Sequence, residues 1–333
     1  MKTLTPADAA GEFTGRVPTP GEASTGTKVF FNRSMRVIVK GDLPMATDEN
    51  TASGCSSGSC ASGGGQSMAA KIQEQIIESS LAKIKHKLLV MSGKGGVGKS
   101  SIAANTAVAL SRRGFRVGLM DVDLHGPSIA GIMGLKGLLD VGEDHFAIPK
   151  AFNDNLKVVS MQSLLQNGDD PVIWRGPAKT GVIRQFIGDV RWGELDFLVI
   201  DSPPGTGDEP LSVAQMVPGA KALIVTTPQD VALSDVRKSI NFCKAVNLDV
   251  LGLVENMGPF ACPCCGKTIE VFKSGGGRRT AAEMGVLFLG TLPFEPQVVK
   301  ASDEGKPLLN EAAETPFTRE LNAVVEKIVQ RFQ

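Results

Sequence analysis

The amino-acid sequence predicts a doubly wound α/β fold with a mostly parallel sheet, preceded by a polar extension. Three observations predict it. From residue 68 onward, short continuous apolar segments alternate with amphipathic ones. That is the pattern of strands buried on both faces and of the crossover helices that cover them. The first of these strands runs directly into a glycine-rich loop that opens a helix, "SGKGGVGKSS", Ser92 to Ser101. Apolar residues make up 42% of the chain and aromatics only 5%, with no tyrosine, which suits a core of Ala, Val, Ile and Leu rather than a sandwich.

Residues 1–67 are rich in Gly, Ser, Thr, Pro and Ala and end in "TASGCSSGSCASGGGQS". Such a composition buries too little apolar surface to offset the entropy of ordering, so a flexible extension carrying the pair Cys55 and Cys60 is expected. Within it only Lys28–Gly41 reads as strand, one hairpin around Asn32–Ser34. The folded domain is expected over 68–333. A helical stretch, "MAAKIQEQIIESSLAKIK", leads into the first strand, Lys87–Ser92. Further apolar runs place strands at Arg116–Asp121, Leu156–Met161, Phe197–Asp201, Ala222–Thr226, Val250–Glu255 and Val286–Leu292. Helical periodicity between them places helices at Lys99–Arg113, Thr180–Val190, Val231–Val246 and Gly277–Met284. The C-terminal "LNAVVEKIVQRFQ" is amphipathic and is expected to pack on the sheet rather than on a membrane. No internal repeat is evident.

Composition narrows the function. The formal net charge is zero, from 35 basic and 35 acidic residues, so no nucleic-acid partner is expected. The N-terminal "MKTLTPADAAGEFTG" lacks the apolar segment of a secretory signal, and no run of 18 apolar residues exists, so neither export nor a membrane span is expected. The six cysteines are then expected in a reducing cytoplasm, where clustered thiols read as metal or redox sites rather than disulfides.

The glycine-rich loop fits G-x-x-x-x-G-K-[ST] with Gly93, Gly98, Lys99 and Ser100. In such a loop, here Gly93, Lys94, Gly95, Gly96, Val97 and Gly98 through Ser101, backbone N–H groups curl around a phosphate and the helix N-terminus adds positive potential. Lys99 is expected at the β- and γ-phosphates, and the Ser100 hydroxyl on Mg²⁺. Two further strand ends fit the same chemistry. "RVGLMDVDLHGPS" sets Asp121 and Asp123 at the end of the second strand, where one carboxylate can orient the attacking water and the other support the Mg²⁺ shell; Asp123 is assigned to the water. "FLVIDSPPGTGDEP" ends a buried strand on Asp201, the position that holds Mg²⁺ through a water, while Pro203 and Pro204 stiffen a turn whose Gly205 N–H faces the γ-phosphate. No N-K-x-D-like guanine motif is present, which favours ATP over GTP.

Three cysteines fall within four residues, Cys262, Cys264 and Cys265, in "NMGPFACPCCG" after the strand Val250–Glu255. Cys262 and Cys265 make a C-P-x-C knuckle whose Gly266 can adopt positive φ. Two thiolates do not complete a four-ligand site. One reading is half a zinc ribbon; the other is a half-site completed by a second copy across a two-fold axis, where four thiolates suit a bridging [4Fe–4S] cluster. Cys264 occupies the variable position of the knuckle. Cys243 shares a helical face with Val236 and Ile240 and reads as core, and His125 and His145 have no partner spacing.

"SGKGGVGKSS", "DVDLHGPS", "DSPPGTGD" and "NMGPFACPCCG" together resemble the Mrp/ApbC iron–sulfur cluster carrier ATPases, of the deviant Walker A group, from about Ile84 to the C-terminus. The resemblance implies a homodimer that carries a labile [4Fe–4S] cluster, binds and hydrolyses ATP, and delivers the cluster to apo iron–sulfur proteins. It further implies that Lys94 contacts phosphate across the dimer interface, and that Asn256 and Thr291–Pro296, Pro293 included, lie where the adenine packs. The extension departs from the family: it does not read as the small folded domain of many bacterial members, and it holds two rather than four cysteines. A positioning ATPase of the same fold, its C-P-x-C a structural zinc knuckle, is the rival reading; that class expects a basic membrane helix or a DNA-binding patch, and neither is visible in the sequence. An electron-donating reductase is a third, but its ligand cysteines are single and widely separated.

Overall fold

The computed structural model describes residues 68–124, 126–143, 146–164, 176–311 and 314–333. The expected hairpin at Lys28–Gly41, the pair Cys55 and Cys60, and His125 and His145 lie outside them. In chain order the elements are α1 (Met68–Leu81), β1 (Ile84–Ser92), α2 (Lys99–Arg112), β2 (Val117–Asp121), α3 (Ile129–Ile132), β3 (Asp140–Val141), β4 (Ala147–Ile148), β5 (Lys150–Asn153) and β6 (Leu156–Ser160). They continue with α4 (Gly176–Gly188), β7 (Leu195–Asp201), α5 (Asp208–Met216), β8 (Ala220–Thr226), α6 (Asp230–Ala245) and β9 (Asp249–Gly258). The last are β10 (Phe260–Ala261), β11 (Thr268–Ile269), α7 (Gly276–Met284), β12 (Phe288–Pro293), α8 (Pro296–Asp303) and α9 (Pro316–Phe332).

Eight strands form one sheet in the order β12-β9-β8-β1-β7-β2-β6-β5. All neighbours are parallel except β5 and β6. This is the expected doubly wound sheet. Its strands divide their side chains by the period of two. Leu88 and Val90 of β1 join one core with α2 and α9, whereas Leu89 and Met91 join the opposite core with α4 and α6. Both faces are dry, which is why these strands read as unbroken apolar runs. Cys243 lies in the second core with Val236 and Ile240, its Sγ against Met91 Sδ, and burial pushes its thiol up to about 11. It is a core residue, as its spacing indicates.

All seven expected strands are present, and the structure adds what the patterns hide. The opening helix stops at Leu81, and Ile84 already pairs with Leu195, so Ile84 and Lys85 belong to β1. The edge strand β5 is short and half-exposed, and it carries no apolar run. Helix α5 starts among Pro203, Pro204, Gly205 and Gly207, which read as loop; Pro210 is tolerated because it lies in the first turn, where the missing N–H has no partner to lose. No helix among the described residues is long and apolar enough to cross a membrane.

The strand order places the carboxyl ends of β1, β7 and β2 side by side, with those of β8 and β9 beyond β1. Register sharpens this: Asp201 is level with Val90 on one side and with Asp121 on the other. The loop after β2 is held from the far side by a backbone joint. Gly134, after α3, and Gly305, after α8, are both left-handed (φ 65° and 70°) and touch directly. A Cβ on Gly305 would stand 2.6 Å from Gly134 Cα, and one on Gly134 would stand 2.5 Å from Gly305 O. Gly305→Ala therefore meets both a conformational and a steric penalty, and is expected to lower unfolding free energy by about 1–3 kcal/mol. Denaturant midpoints at constant m-value measure it; an unchanged midpoint would show that the joint yields without cost.

Candidate functional site

The site begins where β1 ends. Gly93 leaves the strand so close to α6 that a Cβ there would lie 2.5 Å from the Asp235 carbonyl carbon. Gly96 and Gly98 are left-handed at φ 79° and 83°, a conformation that glycine adopts without steric cost, and Gly98 is the N-cap of α2. Gly98 has no side chain to cap the helix with, so the N–H groups of the first turn are left for a ligand. The loop is also fixed from below: Ser92 Oγ donates to the Lys94 carbonyl at 2.8 Å, and the Gly205 N–H donates to the Ser92 carbonyl at 2.8 Å. Gly205 is itself left-handed, at φ 90°. The sequence-assigned phosphate loop and the turn after Asp201 are thus one hydrogen-bonded unit.

Lys99 points into that unit. Its Nζ donates to Asp201 Oδ1 at 2.5 Å, with side-chain exposures of 7% and 0%. Burial pushes the Asp201 carboxyl up, against the pull of the Lys99 ammonium and the neighbouring Ser100 hydroxyl. Asp201 Oδ2 is buried and has no hydrogen-bond partner among the described residues. A buried, unmatched carboxylate oxygen next to a serine hydroxyl is a donor set that fits a hydrated Mg²⁺.

The two carboxylates at the end of β2, Asp121 closing the strand and Asp123 just beyond it, have different surroundings. Asp121 is fully buried; Oδ1 accepts from the Asp123 N–H, and Oδ2 accepts from the Ile129 N–H and from Ser160 Oγ. It shapes the loop that carries Asp123. Desolvation, reinforced by the charge of Asp201, pushes its pKa up to about 7. Asp123 is buried too and accepts from the Gly126 N–H at 3.2 Å, yet it borders a cavity of about 540 Å³ shared with Lys179, Pro204 and Glu209. Of the two, Asp123 is the one that meets space.

The cysteines lie on an excursion between β9 and α7. β10 and β11 pair antiparallel at its neck, Phe260 with Ile269 and Ala261 with Thr268. The knuckle closes by reciprocal bonds: the Cys262 N–H donates to the Lys267 carbonyl and the Gly266 N–H donates to the Cys262 carbonyl, both at 2.8 Å, with Gly266 at φ 72°. Cys264 and Cys265 are exposed and Cys262 half-buried. The backbone N–H groups of Cys264, then of Cys265, hold the Cys262 thiol below its ordinary value. Among the described residues no cluster of three or more His, Cys, Asp or Glu converges within the chain as a metal site.

Other sequence-assigned residues fall as follows. Lys94 is half-buried in the loop, and its ammonium has no partner among the described residues. Asn256, at the end of β9, is buried, and its Nδ2 donates to the Val97 carbonyl at 2.9 Å, so its amide is committed to the phosphate loop. Pro293 ends β12, level with Gly258 of β9, and the Phe294 ring lies 5.5 Å from that of Phe260. Sequence reasoning missed Glu255. This buried carboxylate accepts from the Gly275 N–H at 3.3 Å, the Gly277 N–H at 2.6 Å and Thr291 Oγ1 at 3.2 Å. Its one signal was a charged residue closing an apolar run.

Known proteins are similar along the same span. A family model described as ParA, NUBPL iron-transfer P-loop NTPase, matches residues 83–329. An iron-sulfur cluster carrier protein of Saccharolobus solfataricus is 43% identical over 267 residues, 78% of this chain and 90% of the relative. One from Methanocaldococcus jannaschii is 44% identical over 259 residues, 77% and 89% of the two chains. Among solved structures, a nucleotide-binding protein from Archaeoglobus fulgidus in complex with ADP superposes with a TM-score of 0.64 at 38% identity, covering 73% of this chain and 95% of that one. The cell division ATPase MinD of Pyrococcus furiosus, at 24% identity and a TM-score of 0.56 over 74% of this chain and 99% of that one, shares the fold.

The Asp121 environment has a pH consequence. Its folded pKa, about 7, exceeds the unfolded value of about 3.9, so the folded state holds this proton more tightly. Stability is then expected to fall as pH rises from about 4 to about 7 and to level off above. Asp121→Asn, which carries no charge, is expected to flatten that slope in denaturant titrations between pH 5 and 8. An equal slope in both proteins would remove Asp121 as its source.

Proposed function

The chain belongs to the NUBPL-type iron-transfer P-loop NTPases of the ParA group, and from that premise we propose that it is an ATP-hydrolysing carrier. Its cargo is a labile [4Fe–4S] cluster held between two copies of the chain and passed to apo iron–sulfur proteins in the cytoplasm. The observation that carries this reading is the knuckle itself. It presents two thiols, Cys262 and Cys265, on a short exposed hairpin at the same sheet edge as the phosphate loop. A two-fold contact supplies the other two thiolates from the partner subunit's Cys262 and the partner subunit's Cys265. The similarity to iron-sulfur cluster carrier proteins supports it.

On the nucleotide side, this chain's residues divide the work by position. The N–H groups of the Gly95–Ser101 turn surround the β-phosphate, and Lys99 exchanges its Asp201 partner for the β- and γ-oxygens. Asp201 and Ser100 would hold a hydrated Mg²⁺, which when bound neutralises charge building on the phosphates. Asp123, at the edge of its cavity, orients the attacking water, and the Gly205 N–H exchanges the Ser92 carbonyl for the γ-phosphate. Lys94 reaches the phosphates of the partner's nucleotide. Asn256 and Pro293 border the adenine.

Lys99→Ala removes the ammonium and leaves Asp201 buried without a counter-charge. Nucleotide affinity is expected to fall about ten- to a hundredfold, the worth of a charged hydrogen bond. Lys94→Ala is expected to spare affinity and slow hydrolysis. Titration calorimetry beside steady-state turnover separates the two; the reverse pattern contradicts the assignment.

The carrier reading is tested by iron and sulfide analysis after anaerobic reconstitution, with mass measured in solution. One [4Fe–4S] cluster per two chains gives about two iron and two sulfide per chain, in a dimer. Replacing Cys262 and Cys265 with alanine is expected to abolish both and leave ATP binding intact, whereas Cys264→Ala and Cys243→Ala retain them. Tightly bound zinc without sulfide, or a cluster on a monomer, sinks the reading. Iron clearly above two per chain implicates Cys55 and Cys60.

A further inference from the structure

The phosphate loop and the cysteine excursion meet at three consecutive residues at the end of β9. Asn256 donates its amide to the Val97 carbonyl, inside the phosphate loop, and a Cβ on Gly98 would collide with that same amide nitrogen. Met257 follows in the left-handed region at φ 57°, a costly conformation for a side chain of its size, and its Cε also lies against Gly98. Glu255, on the other side of Asn256, grips the N–H groups of Gly275 and Gly277, where the excursion returns to the fold. Departure and return of the cysteine segment are therefore fixed by adjacent side chains, and one of these is bonded to the phosphate loop. Four residues beyond Gly258 stands Cys262.

The Val97 carbonyl and the Gly98 N–H belong to one planar trans peptide and point in opposite directions. A phosphate that accepts from the Gly98 N–H polarises that peptide and makes the Val97 carbonyl a stronger acceptor for Asn256. We propose that Asn256 is a positioning residue that couples the two sites, so that nucleoside triphosphate in the loop stiffens the knuckle that carries Cys262 and Cys265. The proposal rests on the reading of the loop as a nucleotide site. It adds a path at the end of β9, separate from the turn after Asp201 that senses the γ-phosphate. By linkage, the coupling acts in both directions: a knuckle stiffened by its cargo tightens nucleotide binding by the same factor.

Hydrogen–deuterium exchange of the full chain tests it, with and without a saturating non-hydrolysable ATP analogue and Mg²⁺. The Cys262 and Gly266 amides report the knuckle, and the first-turn amides of α2 report binding in the same sample. In the native chain both sets are expected to slow with nucleotide, the knuckle amides by about fivefold or more. Asn256→Asp is nearly isosteric and cannot donate to Val97; because Asn256 also borders the adenine, this variant is measured at analogue concentrations that bring its α2 amides to full protection, where its knuckle amides are expected not to slow. Met257→Gly keeps the Asn256 amide but relaxes the left-handed connector, and is expected to reduce the knuckle response while α2 still slows. Native α2 amides that ignore nucleotide would overturn the nucleotide site and the proposal together. Binding without any native knuckle response, or a full response in both variants, would overturn the coupling alone.

Discussion

Two charges buried against each other govern this structure. Lys99 and Asp201 meet at 2.5 Å with almost no solvent, and each is tolerable only because of the other. Removing one partner of such a pair typically costs about 3–5 kcal/mol, since the remaining charge stays buried alone. Every neighbouring feature accommodates that arrangement. Parallel register sets Asp201 between Val90 and Asp121, so a second carboxyl faces the first, and Asp121 responds with a pKa near neutrality. The unmatched Asp201 oxygen completes the picture of a site whose charges balance fully only with a ligand present.

That balance explains why the fold was legible. A parallel sheet covered on both faces writes each strand as an apolar run, and the need for a glycine at Gly96, Gly98 and Gly205 writes the loops as motifs. All seven runs became strands, and the strand ends carrying Asp121, Asp123 and Asp201 are neighbours because β7 lies between β1 and β2. That neighbourhood is a matter of topology and cannot be read from any one segment. What stayed illegible follows the same logic. β5 pairs on one side only and needs no apolar run, while α5 and α8 begin at prolines and glycines that look like loop.

Polar residues doing structural service were the harder part. Asp121 shares the Asp123 motif, where one carboxylate can support the Mg²⁺ shell, but its oxygens accept from the loop it shapes and from Ser160. Glu255 has no motif at all; its meaning lies in three donors from residues 20 to 36 positions away. Asn256, placed by resemblance near the adenine, donates its amide to the Val97 carbonyl, a bond the resemblance did not imply. Glu255 and Asn256 satisfy backbone groups distant in sequence, and Asp121 ties its own loop to the Ser160 hydroxyl; no spacing rule encodes such bonds.

The construction of the knuckle fits cargo better than a resident metal. A structural zinc site gathers its four ligands from one chain and closes over them, because the metal contributes folding energy. Here the thiols stand on a hairpin of two-residue strands, two of the three exposed, and the rest of the domain builds its cores without them. The cores thus form without these thiols, which suits the proposed role, in which a group held by Cys262 and Cys265 has to be free to leave. Firm placement comes instead from the base, where Glu255 and Asn256 fix the excursion to α7 and to the phosphate loop. An exposed grip on a rigid root adjoining the nucleotide is what a site needs if its contents are to be received from one protein and surrendered to another.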